Sequence, residues 1–342
     1  MNPFSSRWDP YPQKRIGTVL PPKDTPYTGT SESHGLVPFY RDGDGEKLEL
    51  LRSLVFVPGN RANMLERATG FAADVIMVDL EDSVPPDEKA NARDLAAEWV
   101  PKLRAMGHRV MVRVNALDTG LIRDDLAAVV GPDLDGVSIG KAETPQDMRD
   151  ADRLISSLEA AAGMEQGHVK IVPWIENARA IVNAYQIATA SQRIIAIAFG
   201  AEDYTDDMGL ERSDTGEEVY YPRAAVAVAA RAARVEALDS PYVRFRDPDG
   251  LRQDAGQARK LGFTGKFAIH PAQIDIINEL FSPSEAELTY ARKVVDAWSQ
   301  AEAQGRGSAD LDGRMIDVPV IKRAQNLLAL AESISKKLTA ER

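Results

Sequence analysis

Short apolar runs alternate with longer amphipathic stretches along most of this chain. Two of the runs, residues 170–175 and 194–199, are too short for a buried helix and are rich in β-branched residues, which predicts buried strands. The stretch between them, residues 178–190, carries apolar side chains at helical spacing. A right-handed strand–helix–strand crossover would make the two strands parallel, and about 5 Å apart if they are neighbours. Glu176 and Asp203, which follow the two runs, are then expected side by side at one edge of the sheet.

The same rhythm extends over residues 51–281. The apolar runs are residues 54–57, 75–78, 110–114, 136–139, 170–175, 194–199, a weaker 237–239, and 266–269. Helical patterns occupy residues 63–69, 89–106, 145–162, 178–189, 223–235 and 250–261. Eight strands alternating with helices predict an α/β fold, a (β/α)8 TIM barrel with its active site at the carboxyl ends of the strands. The alternative is a doubly wound open sheet, but the residues after the first strand, PGNR at 58–61, are not the Gly-rich fingerprint that such a sheet usually carries.

Two segments flank the predicted barrel domain. Residues 1–50 are rich in proline, glycine and serine, so we expect a non-regular N-terminal arm or a disordered leader, and the aromatic residues favour the arm. Residues 282–342 begin with Ser-Pro-Ser-Glu, which predicts a helix with a capping box and proline at its first position, running to about residue 303. A loop over residues 308–318 and a last helix over 319–337 are expected to follow. We interpret this third segment as a C-terminal helical lid domain that covers the site or exchanges with a neighbour.

Composition limits the kinds of ligand and metal site that the chain can have. The formal net charge of −11 argues against non-specific nucleic-acid binding, and the absence of cysteine excludes disulfides, thiolate nucleophiles and Cys-containing zinc sites. The four histidines show no zinc-binding spacing, so a bound metal is expected to be oxygen-ligated, Mg²⁺ before Zn²⁺. No signal peptide and no apolar run of about 20 residues is present, which predicts a cytoplasmic protein without a membrane partner.

Polar residues at the predicted strand ends are the candidates for function. Glu176 and Asp203 either cap the helices that follow them or, as a pair at consecutive strand ends, hold Mg²⁺. Arg113 lies within an apolar strand, so it either forms a buried ion pair with an acid such as Glu81 or Asp82, or binds a substrate oxygen. Lys141 has the same two interpretations. Asp317, which precedes the last helix, is by sequence alone an N-cap.

Several motifs, in order, resemble the citrate lyase β-subunit-like enzymes of the HpcH/HpaI aldolase superfamily. They are RSLVFVPGN at 52–60, DLEDSVP at 79–85, VRVN at 112–115, PWIENA at 173–178, FGAED at 199–203, FRD at 245–247 and GKFAIHP at 265–271. The sequence GRMIDVP at 313–319 is most similar to the citramalyl-CoA and malyl-CoA lyase branch. The resemblance covers roughly residues 52–337.

This resemblance implies a Mg²⁺-dependent carbon–carbon lyase that cleaves a 3-hydroxyacyl-CoA into acetyl-CoA and a 2-oxo acid. It also implies a ring-like homotrimer or hexamer in which Asp317 reaches the neighbouring subunit's site as the catalytic acid or base. The residues it implies are Glu176 and Asp203 as metal ligands, Arg113 on the substrate, Phe56 and Arg67 along the CoA channel, and Ile139, Gly140, Lys141 and Asn177 beside the acyl group.

Two departures from the family pattern bear on the acyl substrate. The usual Leu-Pro-Lys is Ile139-Gly140-Lys141 here, and the usual Glu-Thr is Glu176-Asn177. Two alternatives to a malyl-CoA or citramalyl-CoA lyase stay open at this point. One is a citrate lyase β-subunit that acts on a citryl thioester within a complex, and the other is a non-catalytic barrel that binds CoA esters.

Overall fold

A computed structural model describes residues 50–213 and 215–340. All but the last residue of the predicted N-terminal arm lies outside this described part. The strands of the barrel are β1 (Ser53–Pro58), β2 (Val75–Asp79), β3 (Val110–Val114), β4 (Gly136–Ile139), β5 (Lys170–Ile175), β6 (Ala196–Phe199), β7 (Glu236–Asp239) and β8 (Gly265–Ala268). The helices are α1 (Ala62–Ala68), α2 (Lys89–Ala105), α3 (Ile122–Val129), α4 (Pro145–Ala161), α5 (Ala178–Ala188), α6 (Ala201–Asp207), α7 (Glu217–Ala233), α8 (Pro248–Leu261), α9 (Ile274–Leu280), α10 (Glu285–Ala303) and α11 (Val318–Ala340).

The eight parallel strands close into a barrel in sequence order, with β1 pairing β8. The predicted TIM barrel is therefore confirmed and the open sheet is wrong. Alternate residues point inward because side chains along a strand have a period of two. The inward set forms one apolar cluster around Phe267 and Trp174, and the outward set packs against the helices in a second, larger cluster.

The helix layer differs from the sequence prediction in several places. The sequence pattern missed α3, α6 and α9, because seven or eight residues give too few turns for a helical period to stand out. Helix α7 begins at Glu217 rather than 223, with Pro222 inside it. The N-cap of α10 is Ser284, whose capping-box partner is Glu287, so Pro283 precedes the cap and does not occupy the first helical position.

The C-terminal segment is a helical hairpin whose connection is structured. The predicted loop over 308–318 is instead a two-stranded antiparallel sheet, β9 (Ala309–Leu311) and β10 (Arg314–Ile316), joined by Asp312 and Gly313 in left-handed conformations. Helix α11 packs mainly on α10 around its own apolar cluster. Among the described helices, none has the length and apolarity needed to cross a membrane.

The hairpin is tied to the amino-terminal face of the barrel. Lys337 in the last turns of α11 donates to Asp74 at 2.8 Å, one residue before β2 begins. Arg52 donates to the same carboxylate at 2.8 Å and to Ser282 at 2.8 Å. This contact lies at the opposite end of the strands from Glu176, so the base of the hairpin is fixed below the barrel and its β9–β10 end is remote from that attachment.

Candidate functional site

Two carboxylates lie at the carboxyl ends of β5 and β6, as the strand pattern predicts. Glu176 directly follows β5 and is 6 % exposed. Its Oε1 accepts a hydrogen bond from the Lys141 backbone N–H at 2.6 Å, which links the ends of β4 and β5. Asp203 lies in the first turn of α6, directly after β6, and is half-buried.

The electrostatics of these acids favour a bound cation. Burial and the charge of Asp203 raise the pKa of Glu176 to about 8, against the bond from Lys141. Burial and the charge of Asp82 also raise the pKa of Asp203. Burial raises the pKa of Glu81 to about 7, although the Arg113 charge opposes it. These three carboxyl groups resist ionisation, and a cation bound beside them would lower their pKa values and favour the deprotonated form.

Glu176 and Asp203 fit Mg²⁺ by their donor chemistry. Both offer hard carboxylate oxygens, and Mg²⁺ usually takes one or two carboxylates while water and substrate oxygens complete its octahedron. Within residues 50–213 and 215–340, no three acidic or imidazole side chains converge as a full set of metal ligands.

Arg113 forms ion pairs with three carboxylates. Its Nε and Nη2 donate to the two oxygens of Asp79 at 2.7 and 2.6 Å, because the two residues are paired in register on β3 and β2. Its Nη1 lies 3.0 Å from Asp82 and 3.2 Å from Glu81. Burial alone would lower the pKa of Arg113, but these acids outweigh it and raise that pKa. The ion pair considered from the sequence is present, and Asp79 is its main partner.

The Arg113 guanidinium packs on a cluster of aromatic rings. It lies 4.4 Å from the ring centroid of Phe56, which stacks on Phe267 at 5.1 Å inside the barrel. Trp174 continues the stack and donates its indole N–H to Ser138 at 2.6 Å. Phe56 thus stiffens the position of Arg113, while its part in a CoA channel stays a prediction.

Two glycines make room for the acids. A Cβ on Gly200 would lie 2.5 Å from both Cβ and Oε2 of Glu176. A Cβ on Gly140 would lie 2.9 Å from Oε1 of Glu81 and 3.3 Å from Oε1 of Glu176. Lys141, next to Gly140, adopts a left-handed φ of 54°, which turns its N–H toward Glu176. Such backbone strain in a non-glycine residue is common at functional sites.

The other candidate residues fall in different places. Ile139 faces the helix layer, Arg67 is exposed in the last turn of α1, and Asn177 caps α5 by accepting from the Ala180 N–H at 2.8 Å. The carboxylate of Asp317 accepts from the Val320 N–H at 3.3 Å as the N-cap of the last helix. In the described part of the chain, no hydrogen bond or ion pair joins Asp317 to Glu176, Asp203 or Arg113.

Asn60 was not among the candidate site residues predicted from the sequence. It follows β1 in the PGN motif, is 7 % exposed, and neither atom of its side-chain amide has a hydrogen-bond partner among the described residues. A buried amide without a partner is costly, which points to a missing ligand or water. The only signal in the sequence was a polar residue two positions after the end of a strand.

Comparison with known proteins identifies the family. The family model described as HpcH/HpaI aldolase/citrate lyase matches residues 52–271, which include every strand of the barrel. The chain belongs to the HpcH/HpaI aldolase/citrate lyase family. The resemblance deduced from the sequence motifs is therefore confirmed, and the two acids and Arg113 lie at the mouth of this family's barrel.

Relatives within the family are lyases. The chain is 40% identical to the citrate lyase subunit beta of Haemophilus influenzae over 286 residues, covering 84% of this chain and 98% of that protein. It is 36% identical to the L-malyl-CoA/beta-methylmalyl-CoA lyase of Cereibacter sphaeroides over 304 residues, covering 83% and 95%. Among solved structures, it matches the CitE protein of Mycobacterium tuberculosis in complex with magnesium, acetoacetate and coenzyme A, with 28% identity, a TM-score of 0.67, and coverage of 83% and 98%. The chain is thus an enzyme of this lyase family.

Proposed function

We propose that the protein is a Mg²⁺-dependent carbon–carbon lyase that cleaves citramalyl-CoA or malyl-CoA into acetyl-CoA and pyruvate or glyoxylate. The observation that carries this proposal is the pair Glu176 and Asp203 at adjacent strand ends, beside the anchored guanidinium of Arg113. The magnesium and coenzyme A in the M. tuberculosis CitE structure support the choice of metal and thioester.

Glu176 and Asp203 would hold the ion. When bound, Mg²⁺ would supply Lewis-acid polarisation of the oxygen that becomes the ketone. The Lys141 N–H fixes one Glu176 oxygen at 2.6 Å, which leaves the other for the ion, and Gly200 leaves space at that side. The role of these residues is thus to present two oxygens in a fixed orientation.

Arg113 would stabilise negative charge on the substrate. Cleavage breaks the bond between the hydroxyl-bearing carbon and the α-carbon of the thioester, and the hydroxyl proton leaves to a base. The electron pair moves into a thioester enolate, where a preorganised cation is worth most. Because Asp79 holds Nε and Nη2, the guanidinium keeps one orientation, with Nη1 directed toward Asp82 and Glu81.

Asp317 would deliver the proton that turns the enolate carbon into the methyl group of acetyl-CoA, and take it back in condensation. In its own chain the Asp317 carboxylate caps the last helix, and we propose that it reaches the site of a neighbouring subunit in a trimer or hexamer. We retain Phe56 and Arg67 for the CoA channel and residues 139–141 with Asn177 for the acyl group as parts of this proposal. The division into an arm (1–50), a barrel (51–281) and a lid (282–342) is retained as a proposal too.

Release of pyruvate or glyoxylate from the two CoA thioesters, with Mg²⁺ and with EDTA, tests the function. We expect turnover that EDTA abolishes and that Glu176→Gln and Asp203→Asn each reduce by at least about 100-fold, a loss typical of a removed electrostatic stabiliser. Glu202→Gln is the matched control, because Glu202 is an exposed acid next in sequence to Asp203 that pairs with Arg212. Turnover that persists in EDTA, or a protein that is inert on both thioesters with Mg²⁺, would reject the proposal. A protein that is also inert on a citryl carrier would favour the non-catalytic barrel.

A second candidate is favoured by the 40% identity to a citrate lyase subunit beta. Such a subunit would act on a citryl thioester of an acyl-carrier protein within a complex. The purified chain separates the two, because a citrate lyase subunit would leave both free CoA thioesters intact and release oxaloacetate only from the citryl carrier.

A further inference from the structure

Residues 80–82 directly follow β2 and are held from two sides; we call them the acid loop. Lys89, the first residue of α2, donates from Nζ to the Leu80 carbonyl at 2.7 Å and to the Glu81 carbonyl at 2.8 Å. On the other side, the Asp79 carboxylate accepts from the Glu81 N–H at 2.9 Å. The C=O and N–H of one peptide group point in opposite directions, so the peptide between Leu80 and Glu81 is fixed at both of its polar atoms.

A second donor reaches the same carbonyl from β3. Asn115, which directly follows β3, donates from Nδ2 to the Leu80 carbonyl at 3.0 Å and to Asp125 at 2.6 Å. Asp125 on α3 also accepts from Arg93 at 2.7 Å, and Arg93 lies one turn after Lys89 on α2. The acid loop is therefore attached to two helices as well as to its own strand and the next one.

Lys89 occupies a position that does not favour its helix. The first turn of a helix carries unpaired N–H groups and the positive end of the helix dipole, which disfavour a cation. Burial also lowers the pKa of Lys89, although the charges of Asp79 and Asp125 oppose this. The placement of Lys89 is better explained by the two carbonyls that its ammonium group binds than by the stability of α2.

The acid loop carries two of the three carboxylates that surround Arg113. Asp79, on β2 itself, holds Nε and Nη2 of that guanidinium, whereas Nη1 lies 3.2 Å from Glu81 and 3.0 Å from Asp82. A shift of the loop would therefore remove both acids from Nη1 and leave the contacts of Asp79 in place. Lys89 touches the loop backbone, so its influence on Arg113 passes through the side chains of Glu81 and Asp82.

We propose that Lys89 is a positioning residue for the cleavage reaction, because it fixes the acid loop and so keeps Nη1 of Arg113 in the orientation that stabilises the enolate. The part that concerns cleavage rests on the proposed function. Glu176 and Asp203 follow β5 and β6 and are not attached to Lys89, so the effect should fall on the chemical step rather than on Mg²⁺ binding.

Hydrogen–deuterium exchange of the whole chain, read by mass spectrometry, tests the hold on the loop without turnover. Methionine at position 89 has a similar length and no ammonium donors. We expect the N–H groups of Glu81 and Ser83, which both donate to Asp79, to exchange about tenfold or more faster in Lys89→Met, because local opening becomes easier. Lys89→Arg, which keeps the cation and its donors, should retain most of the protection.

Lys102→Met is the matched control for both measurements. Lys102 is an exposed lysine on the same helix and pairs with Glu98. Its replacement should leave the exchange of Glu81 and Ser83, kcat and KM like those of the wild type. Unchanged exchange in Lys89→Met would overturn the proposal.

Steady-state kinetics tests the effect on the reaction. We expect Lys89→Met to lower kcat about tenfold or more and to leave KM and the Kd for Mg²⁺ within about twofold, because a misplaced group that acts in the transition state lowers kcat selectively. A merely structural role would instead lower the Tm and the amount of active protein. Lys89→Arg should recover most of kcat.

A double variant tests whether Lys89 acts through the acid loop. The loss of kcat in Glu81→Gln/Lys89→Met should be at least about threefold smaller than the product of the two single losses, since residues in one network are not additive. Losses that multiply fully, or a kcat of Lys89→Met equal to that of Lys102→Met, would overturn the positioning role and leave the proposed function standing. A wild type that cleaves neither thioester would refute the proposed function, and the exchange of Glu81 in Lys89→Met would then decide whether Lys89 holds the loop.

Discussion

Gly200 shows how one absent side chain shapes the site. A Cβ there would stand 2.5 Å from the Glu176 Cβ, and that atom cannot swing away as the tip of a side chain can. We predict that Gly200→Ala displaces the Glu176 carboxylate and lowers Mg²⁺-dependent kcat/KM at least about tenfold, since small misplacements of reacting groups are costly. Steady-state kinetics at saturating Mg²⁺ measures this.

Gly256 provides the matched control for that substitution. It lies within α8 with no heavy atom within 4 Å of its ideal Cβ. Gly256→Ala should leave kcat/KM unaltered and raise stability by about 0.5–1 kcal/mol, the usual gain for alanine inside a helix. Equal activity in the two variants would contradict the steric account of Gly200.

Asn60 is expected to cost stability. Both atoms of its buried side-chain amide lack a partner among the described residues, and leucine has nearly the same shape without polar atoms. We predict that Asn60→Leu raises the free energy of unfolding by about 1 kcal/mol in the ligand-free protein. Thermal unfolding of the variant and the wild type gives the sign.

Gln273 provides the comparison with Asn60, because it is a buried amide whose side chain does form hydrogen bonds. It is 1 % exposed, donates to the Tyr242 carbonyl at 2.7 Å and accepts from the Ile269 N–H at 2.9 Å. Gln273→Met, of similar shape, should lower stability by about 1–3 kcal/mol because both partners stay buried and unpaired. A fall in Tm for both variants would show that the Asn60 amide has a partner after all.

The residues at strand ends could be predicted from sequence, but their partners could not. Glu176 and Asp203 follow apolar runs, so topology alone places them at one edge. The main partner of Arg113 is Asp79, rather than Glu81 or Asp82, because the register of β2 and β3 sets the two residues opposite each other. Register depends on the closed sheet, and one sequence does not supply it.

Buried charges join elements in the second half of the barrel. Lys266 on β8 is fully buried and contacts Asp239 on β7 and Asp254 on α8, the latter at 2.6 Å. Arg223 on α7 bonds the same acids at 2.7 and 3.1 Å. Two cations and two acids balance, so this network holds α7 and α8 against β7 and β8 without net charge.

Breaking this balance should destabilise the protein strongly. Asp239→Asn leaves Arg223 and Lys266 with an uncompensated charge in the interior, and we predict a loss of about 3–5 kcal/mol in unfolding free energy. Thermal or denaturant unfolding measures it. Glu98→Gln, which removes an exposed pair with Lys102 on α2, should change stability by less than about 1 kcal/mol. Similar small losses for both would mean that the interior relaxes or hydrates around the two cations.

Strands and helices were predicted correctly where burial gives the sequence a hydrophobic period. The short β9–β10 hairpin, which has no such period, was missed. All eight apolar runs became strands, since most of their inward and outward residues are buried inside the barrel or against the helices. The β9–β10 hairpin was missed although Asp312-Gly313 is a typical tight-turn pair, because its three-residue strands are too short to alternate visibly. Its existence depends on packing against α10 rather than on local pattern.

At the scale of the whole molecule, the acids at the barrel mouth link metal binding to pH. The pKa of Glu176 is raised to about 8 and that of Glu81 to about 7, whereas both ionise near 4.5 in the unfolded chain. Between these values the folded protein binds more protons than the unfolded one, so stability without metal falls as the pH rises from about 5 to 8. Mg²⁺ requires the deprotonated carboxylates, and protons therefore compete with it.

We predict that the apparent Kd for Mg²⁺ decreases by up to about tenfold per pH unit from pH 6 to 8 and levels off above. Calorimetric titration of Mg²⁺ at several pH values measures this dependence. Glu176→Gln should bind Mg²⁺ more weakly and lose most of the slope. A Kd that is independent of pH in the wild type would exclude Glu176 as a titrating ligand.

The position of Asp317 makes a test of assembly possible. The base of the α10–α11 hairpin is fixed to the amino-terminal face of the barrel through Lys337 and Asp74, and Asp317 lies 20 residues before Lys337, about 30 Å along the helix. If Asp317 serves the neighbouring subunit's site, each variant is inactive alone: Asp317→Ala lacks the proton donor, and Glu176→Gln lacks a metal ligand. Mixed oligomers then contain sites with a wild-type Glu176 from one chain and a wild-type Asp317 from the next. After unfolding and co-refolding at equal amounts, random assortment should restore roughly a quarter of wild-type activity. No recovery in mixed oligomers of confirmed composition would place Asp317 within its own chain's site or outside the reaction, and full activity of Asp317→Ala alone would remove it from the mechanism.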